Sequence, residues 1–399
     1  MKKNYSGTSP VFTGLDVLEK TKFKKLDGMK VSLLVNQASV NKNLTHASTL
    51  FSEARNIKLV SLMGPQHGIF GTTQDNMIEF SDAWDERLGI PVHSLYSNKR
   101  KPTPEILENI DALVIDLQDV GARYYTFIWT AKLCMEACAE NNKKLIILDR
   151  PNPINGIDIE GNLLKKEFRS FVGLYEIPIR HGLTIGELLT VINAEEKTRC
   201  DLEVIKAEGW RRDTWFDETD LPWVMPSPNM PTLDTATVYP GACLLEATSL
   251  SEGRGTCRPF EICGAPGIDP YVLSDKLNNI KLPGVFFRPI YFEPTFNKHA
   301  RKICGGVQVH VTDRTTFKPV KTYVWIIGSI KKLFPKTFSW KEPPYEYEFK
   351  KMPVDILWGD GSLREALDEK ETNEAVFIKF FENPENEAFY NRIKKYFLY

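Results

Sequence analysis

No apolar run in this chain approaches the roughly 20 residues that a membrane-spanning helix needs, and neither sign of charge is in excess. The 51 lysines and arginines balance 52 aspartates and glutamates, leaving a formal net charge of −1. No bulk field therefore exists to hold a nucleic acid backbone or an anionic membrane, and any ligand must be held by local sites. Cysteine is sparse, seven in 399 residues, with no C-x-x-C pair. Reduced thiols are expected rather than a disulfide framework or a zinc site. The lead MKKNYSGTSPVF carries two lysines but no apolar stretch after them, so the chain as written is expected to stay in the cytoplasm, exported only if a signal peptide has been trimmed. Also missing are a P-loop, a G-x-G-x-x-G after the first strand, a G-x-S-x-G and an H-E-x-x-H. These absences argue against nucleotide-binding, serine-hydrolase and zinc-protease chemistry, and no metal or cofactor is expected.

What is present is a regular alternation. Short apolar runs at residues 31–35, 58–63, 90–95, 112–117 and 145–148 are separated by turns and by helical patterns at 45–55, 103–109 and 127–141. Continuous apolar strands alternating with helices predict a doubly wound, Rossmann-like parallel sheet over residues 10–155. A second, smaller α/β domain is expected over 156–399, with strands at 202–205 and 306–311, helices at 271–279 and 320–333, and a terminal helix at 385–396. The aromatic and charged tail beyond Pro343 reads as a packing element.

In a parallel sheet, ligands bind outside the carboxyl ends of the strands. That rule selects Gln66 and His67 after the second strand, Asp116 and Asp119 after the fourth, and Arg150 and Asn152 after the fifth. Asp116 could equally cap its own turn. Thr184 and Glu187 have capping-box spacing, which leaves His181, just outside the cap, open to a binding role. Residues 226–261 hold five prolines, glycines 241, 253 and 255, four carboxylates, and Arg254 and Arg258. So many fixed and permissive backbone positions predict a rigid, irregular ligand-holding loop.

The strings DLQDVGARYYT at 116–126, LDRPNP at 148–153, RHGLTIGEL at 180–188, PSPNMPTLDTA at 226–236, SEGRGT at 251–256, RPFE at 258–261 and CGGVQVHVTD at 304–313 together resemble one bacterial family. It is the family of exo-acting β-N-acetylmuramidases, formerly a domain of unknown function. The resemblance implies a Rossmann-like first domain, a smaller second domain, and a cleft between them that takes N-acetylmuramic acid from the non-reducing end of peptidoglycan fragments. It also implies a glutamate where this chain has Gln66, within Gly64-Pro65-Gln66-His67-Gly68. An amide near neutral pH can neither give nor take a proton.

Glycoside hydrolysis ordinarily uses two carboxyl groups, though the carbonyl oxygen of a 2-acetamido sugar can replace the second. Asp75, Glu79, Asp116, Asp119 and Glu252 are the candidates to supply the acid that Gln66 cannot. The lactyl carboxylate of the substrate calls for a guanidinium fork, with Arg254 and Arg258 preferred and Arg123 and Arg180 behind them. Asn152, His181 and Asn229 complete the expected binding set. The alternative is a muropeptide binder that keeps the cleft without the reaction.

Overall fold

The computed structural model describes residues 10–75, 78–96, 99–369 and 384–399; the lysine-bearing lead lies outside the described residues. Among the described residues, ten strands make two sheets. The first contains β1 (Lys30–Val35), β2 (Lys58–Gly64), β3 (Ala83–Asp85), β4 (Ile90–Ser94), β5 (Ala112–Asp116), β6 (Lys144–Leu148) and β7 (Asp201–Ile205). Their order is β3-β4-β2-β1-β5-β6-β7, with every pairing parallel except β3 with β4. This is a doubly wound α/β sheet with one antiparallel edge strand.

The two faces of the sheet are read off the alternation within each strand. Val31, Leu33, Val35, Val114 and Ile146 point into a core shared with the helices Gly14–Lys20 and Ala47–Glu53. Leu34, Leu113, Ile115, Leu145 and Ile147 point the other way, onto the helices Phe127–Glu140 and Ile185–Glu195. With helices on both faces, both alternate sets are apolar, which is why the strands read as continuous runs.

The predicted strand at 202–205 exists, but it pairs with β6 and extends the first sheet. It is a correction to its expected place in the second domain. The helix Ile185–Glu195 is the ordinary crossover that brings the chain back parallel. The smaller sheet is antiparallel, ordered β8 (Ile262–Ala265), β10 (Cys304–Val311), β9 (Val285–Phe292), and is covered by the helix Pro270–Asn279, against which the helix Pro319–Leu333 packs.

Within 226–261 the expected irregular loop is interrupted by a helix, Leu233–Ala242, with the Thr232 side chain capping it and Pro240 inside its last turn. A proline there removes one backbone donor, yet the segment is fixed by packing. A Cβ on Gly241 would lie 2.0 Å from the Pro319 carbonyl oxygen, so the two helices meet where only glycine fits. Among the described residues, no helix is long and apolar enough to cross a membrane.

Candidate active site

The strands β1 and β5 are neighbours, and the chain leaves them in opposite directions across the sheet, which opens a crevice at their carboxyl ends. β2 ends there in the turn Pro65–Gly68, closed by the Gly68 N–H donating to the Pro65 carbonyl. Its third residue, His67, sits at φ 70°, a left-handed conformation unusual for a histidine. Constraint of this kind gathers at functional sites.

Gln66 is 6% exposed and fully engaged. The Thr126 hydroxyl donates to its Oε1 at 2.6 Å, and its Nε2 donates to the Tyr96 hydroxyl at 3.0 Å and towards Oε1 of Glu346 at 3.5 Å. Tyr96 in turn donates to Oε2 of Glu346 at 2.9 Å. Burial, with Glu246 adding to it, pushes the Glu346 carboxyl up to about 7, against the hydrogen bond from Tyr96 and the nearby Arg100. A carboxyl in that range is protonated below neutrality and about half protonated near pH 7.

His67 Nδ1 lies 2.7 Å from the Thr73 carbonyl, which makes Nδ1 the protonated nitrogen. Burial, and then the charge of Arg254, lower its pKa to about 4 despite that hydrogen bond, so the ring is neutral at physiological pH. Opposite, Arg254 places Nη2 2.8 Å from Glu246 and Nε 3.2 Å from Glu252, whose other oxygen meets Lys298 at 2.9 Å. Against the cost of burial, these carboxylates hold the Arg254 pKa above its ordinary value. Burial opposes ionisation of Glu252, yet Lys298 and Arg254 together hold its pKa low.

Gln66, His67, Glu246, Arg254 and Glu346 line one narrow cleft with ≈ 40 Å³ of free space, walled also by Tyr124, Tyr125, Ser227, Asn229, Tyr239 and Tyr345. A larger cavity of ≈ 670 Å³, walled by Phe70, Phe80, Trp84 and Arg87, adjoins it at His67.

The remaining expected residues fall elsewhere. Both oxygens of Asp116 face Arg150, from Nε to Oδ1 at 2.5 Å and from Nη2 to Oδ2 at 2.8 Å. That pair clips the ends of β5 and β6 together, so Asp116, expected as a catalytic acid, and Arg150, expected as a binding residue, sit in a buried ion pair with each other and do not line the cleft. Arg123 is wholly buried and donates to four backbone carbonyls, of Asn162, Ile177, Leu357 and Trp358. In this position it braces the backbone and does not line the cleft.

Asn152 donates to the Leu183 carbonyl and accepts from the Ile154 N–H, again a backbone role. Arg180 is buried against Asp158 and the Ile154 carbonyl. Asp119 and His181 sit 3.4 Å apart behind the cleft wall, with Asp119 accepting from the Gly121 N–H. Glu187 takes the capping-box role with Thr184.

Glu252 is 2% exposed and held between Arg254 and Lys298. Arg258 is half-exposed and pairs with Glu261 at 3.0 Å, outside the cleft. Glu79 is exposed and accepts from the Tyr347 hydroxyl; Asp75 accepts from Asn297. Asn229, which holds the Gln74 carbonyl, does line the cleft.

Residues 31–234 match the family model described as exo-β-N-acetylmuramidase NamZ, N-terminal, and residues 237–399 match its C-terminal counterpart. Over 398 residues the chain is 44% identical to a Bacillus subtilis (strain 168) protein named peptidoglycan β-N-acetylmuramidase NamZ, covering all of this chain and 94% of that one. The chain belongs to the NamZ exo-β-N-acetylmuramidase family. Its fold is shared with crystal structures of two DUF1343 family proteins from Bacteroides fragilis NCTC 9343. One is 34% identical with a TM-score of 0.87, the other 27% identical with 0.75, and each alignment covers 98% of this chain and 99% of the other.

The cleft draws on both NamZ regions, with Gln66, His67, Tyr124, Tyr125, Ser227 and Asn229 from the first and Tyr239, Glu246, Arg254, Tyr345 and Glu346 from the second. Three of these, Glu246, Tyr345 and Glu346, carry hydrogen bonds or charge in the site but were not singled out from the sequence. The only signal near Glu346 is local, a paired proline followed by alternating acids and aromatics, EPPYEYEF at 342–349.

Proposed function

We propose that the protein is a glycoside hydrolase of the exo-β-N-acetylmuramidase type, releasing N-acetylmuramic acid from the non-reducing end of peptidoglycan fragments. The observation that carries this reading is the single cleft in which side chains from both NamZ regions converge, holding a buried carboxyl, a neutral imidazole and a buried guanidinium within one small volume. A glycosidase needs such a set: a proton source, polar groups to orient the sugar, and a cation for the acid that distinguishes a muramyl from a glucosaminyl residue.

Arg254 is the cation of the cleft. Its Nη2 and Nε face Glu246 and Glu252, and its Nη1 donates towards the Gln74 carbonyl at 3.4 Å, so a lactyl carboxylate meets it by displacing one of these partners rather than through an open fork. The substrate is a small saccharide, and the chemistry asks for no cofactor.

A second reading, a muropeptide binder without turnover, is favoured by the amide of Gln66, which cannot move a proton. The two separate in one experiment. The protein is incubated with a chromogenic β-N-acetylmuramide and the matching β-N-acetylglucosaminide, and binding of the muramyl disaccharide is followed by calorimetry. Release of chromophore from the muramide alone is the expected result. Binding without release leaves the second reading standing, and neither binding nor release sinks both.

A further inference from the structure

We infer that Glu346 is the proton donor of this site, the group that protonates the glycosidic oxygen as the sugar leaves. The inference deepens the muramidase reading and rests on it. It begins from a comparison of the two acids that line the cleft. Glu246 faces the Arg254 guanidinium at 2.8 Å and accepts from the Tyr345 hydroxyl at 2.7 Å. The oxygens of Glu246 are thus already committed to a guanidinium and a hydroxyl. Glu346 instead receives neutral donors, the Tyr96 hydroxyl and, at longer range, the Gln66 amide. Its charged neighbours are Glu246, which favours the protonated form, and Arg100, which opposes it.

The backbone that carries Glu346 is the second observation. Tyr345 and Glu348 exchange two backbone hydrogen bonds of 2.9 Å, closing a two-residue turn with Glu346 at φ 43° and Tyr347 at φ 67°. Two positive φ angles in succession are the signature of a type I′ turn, whose favoured occupants are asparagine and glycine. A glutamate and a tyrosine there are held against their preference, as happens where a surrounding structure fixes a functional side chain. The flanking tyrosines supply the hold. Tyr345 bonds Glu246, while Tyr347 bonds Glu79 and lies under the Arg100 guanidinium, 3.6 Å from its ring centroid. The result is a carboxyl pinned at the cleft with its rotation restricted.

The step balances as follows. The Glu346 O–H proton passes to the glycosidic oxygen while the C1–O bond breaks, and the electron pair of that bond stays on the departing oxygen. The carbonyl oxygen of the substrate's own 2-acetamido group bonds to C1 in its place. Water then displaces that oxygen at C1 and returns a proton to the Glu346 carboxylate, so that one water is consumed and one glycosidic bond is hydrolysed. Gln66 takes no part in proton transfer; it positions Glu346 through Tyr96.

The test uses wild type, Glu346→Gln and the exchange Gln66→Glu/Glu346→Gln on the chromogenic muramide, each followed from acid to alkaline pH. Glu346→Gln is expected to lower kcat by about 10²–10⁴-fold with KM changed by less than about threefold, and to remove the alkaline fall of the kcat profile. The exchange returns a carboxyl to the same hydrogen-bonded group and is expected to recover at least about tenfold of the loss. A merely structural role would move neither the profile nor the exchange variant. Glu346→Gln with near-wild-type kcat and an unchanged profile overturns the inference and leaves the muramidase reading intact. A folded wild type that binds the disaccharide without turnover overturns both.

Discussion

Replacing Glu346 with glutamine should change how stability depends on pH, whatever it does to turnover. The carboxyl is 3% exposed, and burial lifts its pKa from the ordinary 4.5 to about 7. Below about pH 4.5 the group is neutral in both folded and unfolded chains, so its full contribution to stability is present. Between about 4.5 and 7 the unfolded chain ionises while the folded chain keeps its proton, and stability is lost. Above about 7 both are ionised and the loss levels off. At about 1.4 kcal/mol per pH unit, a gap of about 2.5 corresponds to a loss of about 3 kcal/mol.

Glutamine at 346 does not titrate, so the variant lacks this slope. The difference between the urea-unfolding free energies of variant and wild type should therefore rise in the variant's favour by about 2–3 kcal/mol from about pH 4.5 to about pH 8. Asp149 is also buried and raised, to about 6, by desolvation that outweighs bonds from Thr184, Gly186 and Tyr399. Its slope is common to both proteins and cancels in the difference. A difference that stays flat across this range would refute the placement of a buried carboxyl with a raised pKa beside Gln66 and Tyr96.

Three further outcomes follow from the same contacts. Asp116→Asn breaks the buried pair with Arg150 and should cost about 3–5 kcal/mol in unfolding free energy, while KM for the muramide in the folded fraction stays within about twofold. Arg258→Ala removes a half-exposed ion pair and should change stability by less than about 1 kcal/mol and leave kcat unaltered; a large loss of muramide binding would return Arg258 to the site. His67, lowered to about 4 by burial and by Arg254, should show no imidazole titration by NMR between about pH 5.5 and 8. Since its folded value lies below the unfolded one, it contributes stability above about pH 6.5 that is lost as pH falls towards 4.

The buried strands were legible because a parallel sheet covered on both faces leaves no polar alternation, and β1, β2, β5 and β6 are such runs. The edge strand β3 was not, being three residues, largely exposed and without pattern. β7 was legible as a strand but not as a member of the first sheet, since 52 residues separate its start from the end of β6 and nothing local says where an edge strand will pair. The helix Leu233–Ala242 was hidden by Pro240 and Gly241, residues that oppose a helix by propensity and are overridden by the Thr232 cap and by burial of residues 235–242. In the site, the strand-end rule found Gln66 and His67. It could not tell that Asp116 and Arg150 would consume each other, because that depends on β5 and β6 being neighbours. Glu346 lay beyond any local rule, 280 positions from the residue it faces.

Gln66→Glu shows why the amide matters to Glu346. The Nε2 of Gln66 lies 3.5 Å from Oε1 of Glu346, so a glutamate at 66 would set two carboxyl groups almost in contact. Two like charges at that distance repel by about 5 kcal/mol at an effective dielectric constant of about 20, equivalent to about 3 pH units. The pair would then hold one proton between them and release it only well above neutrality, as coupled carboxyls do. In kcat measured against pH, the alkaline fall that Glu346 sets near 7 should move upward by at least about one unit in Gln66→Glu, and activity near pH 8 should rise relative to wild type. An alkaline fall that stays where it is would mean that the two side chains are not within reach of a shared proton. In that case Gln66 would orient the substrate independently of Glu346, and the hydrogen-bonded chain from Thr126 through Tyr96 would be scaffolding alone.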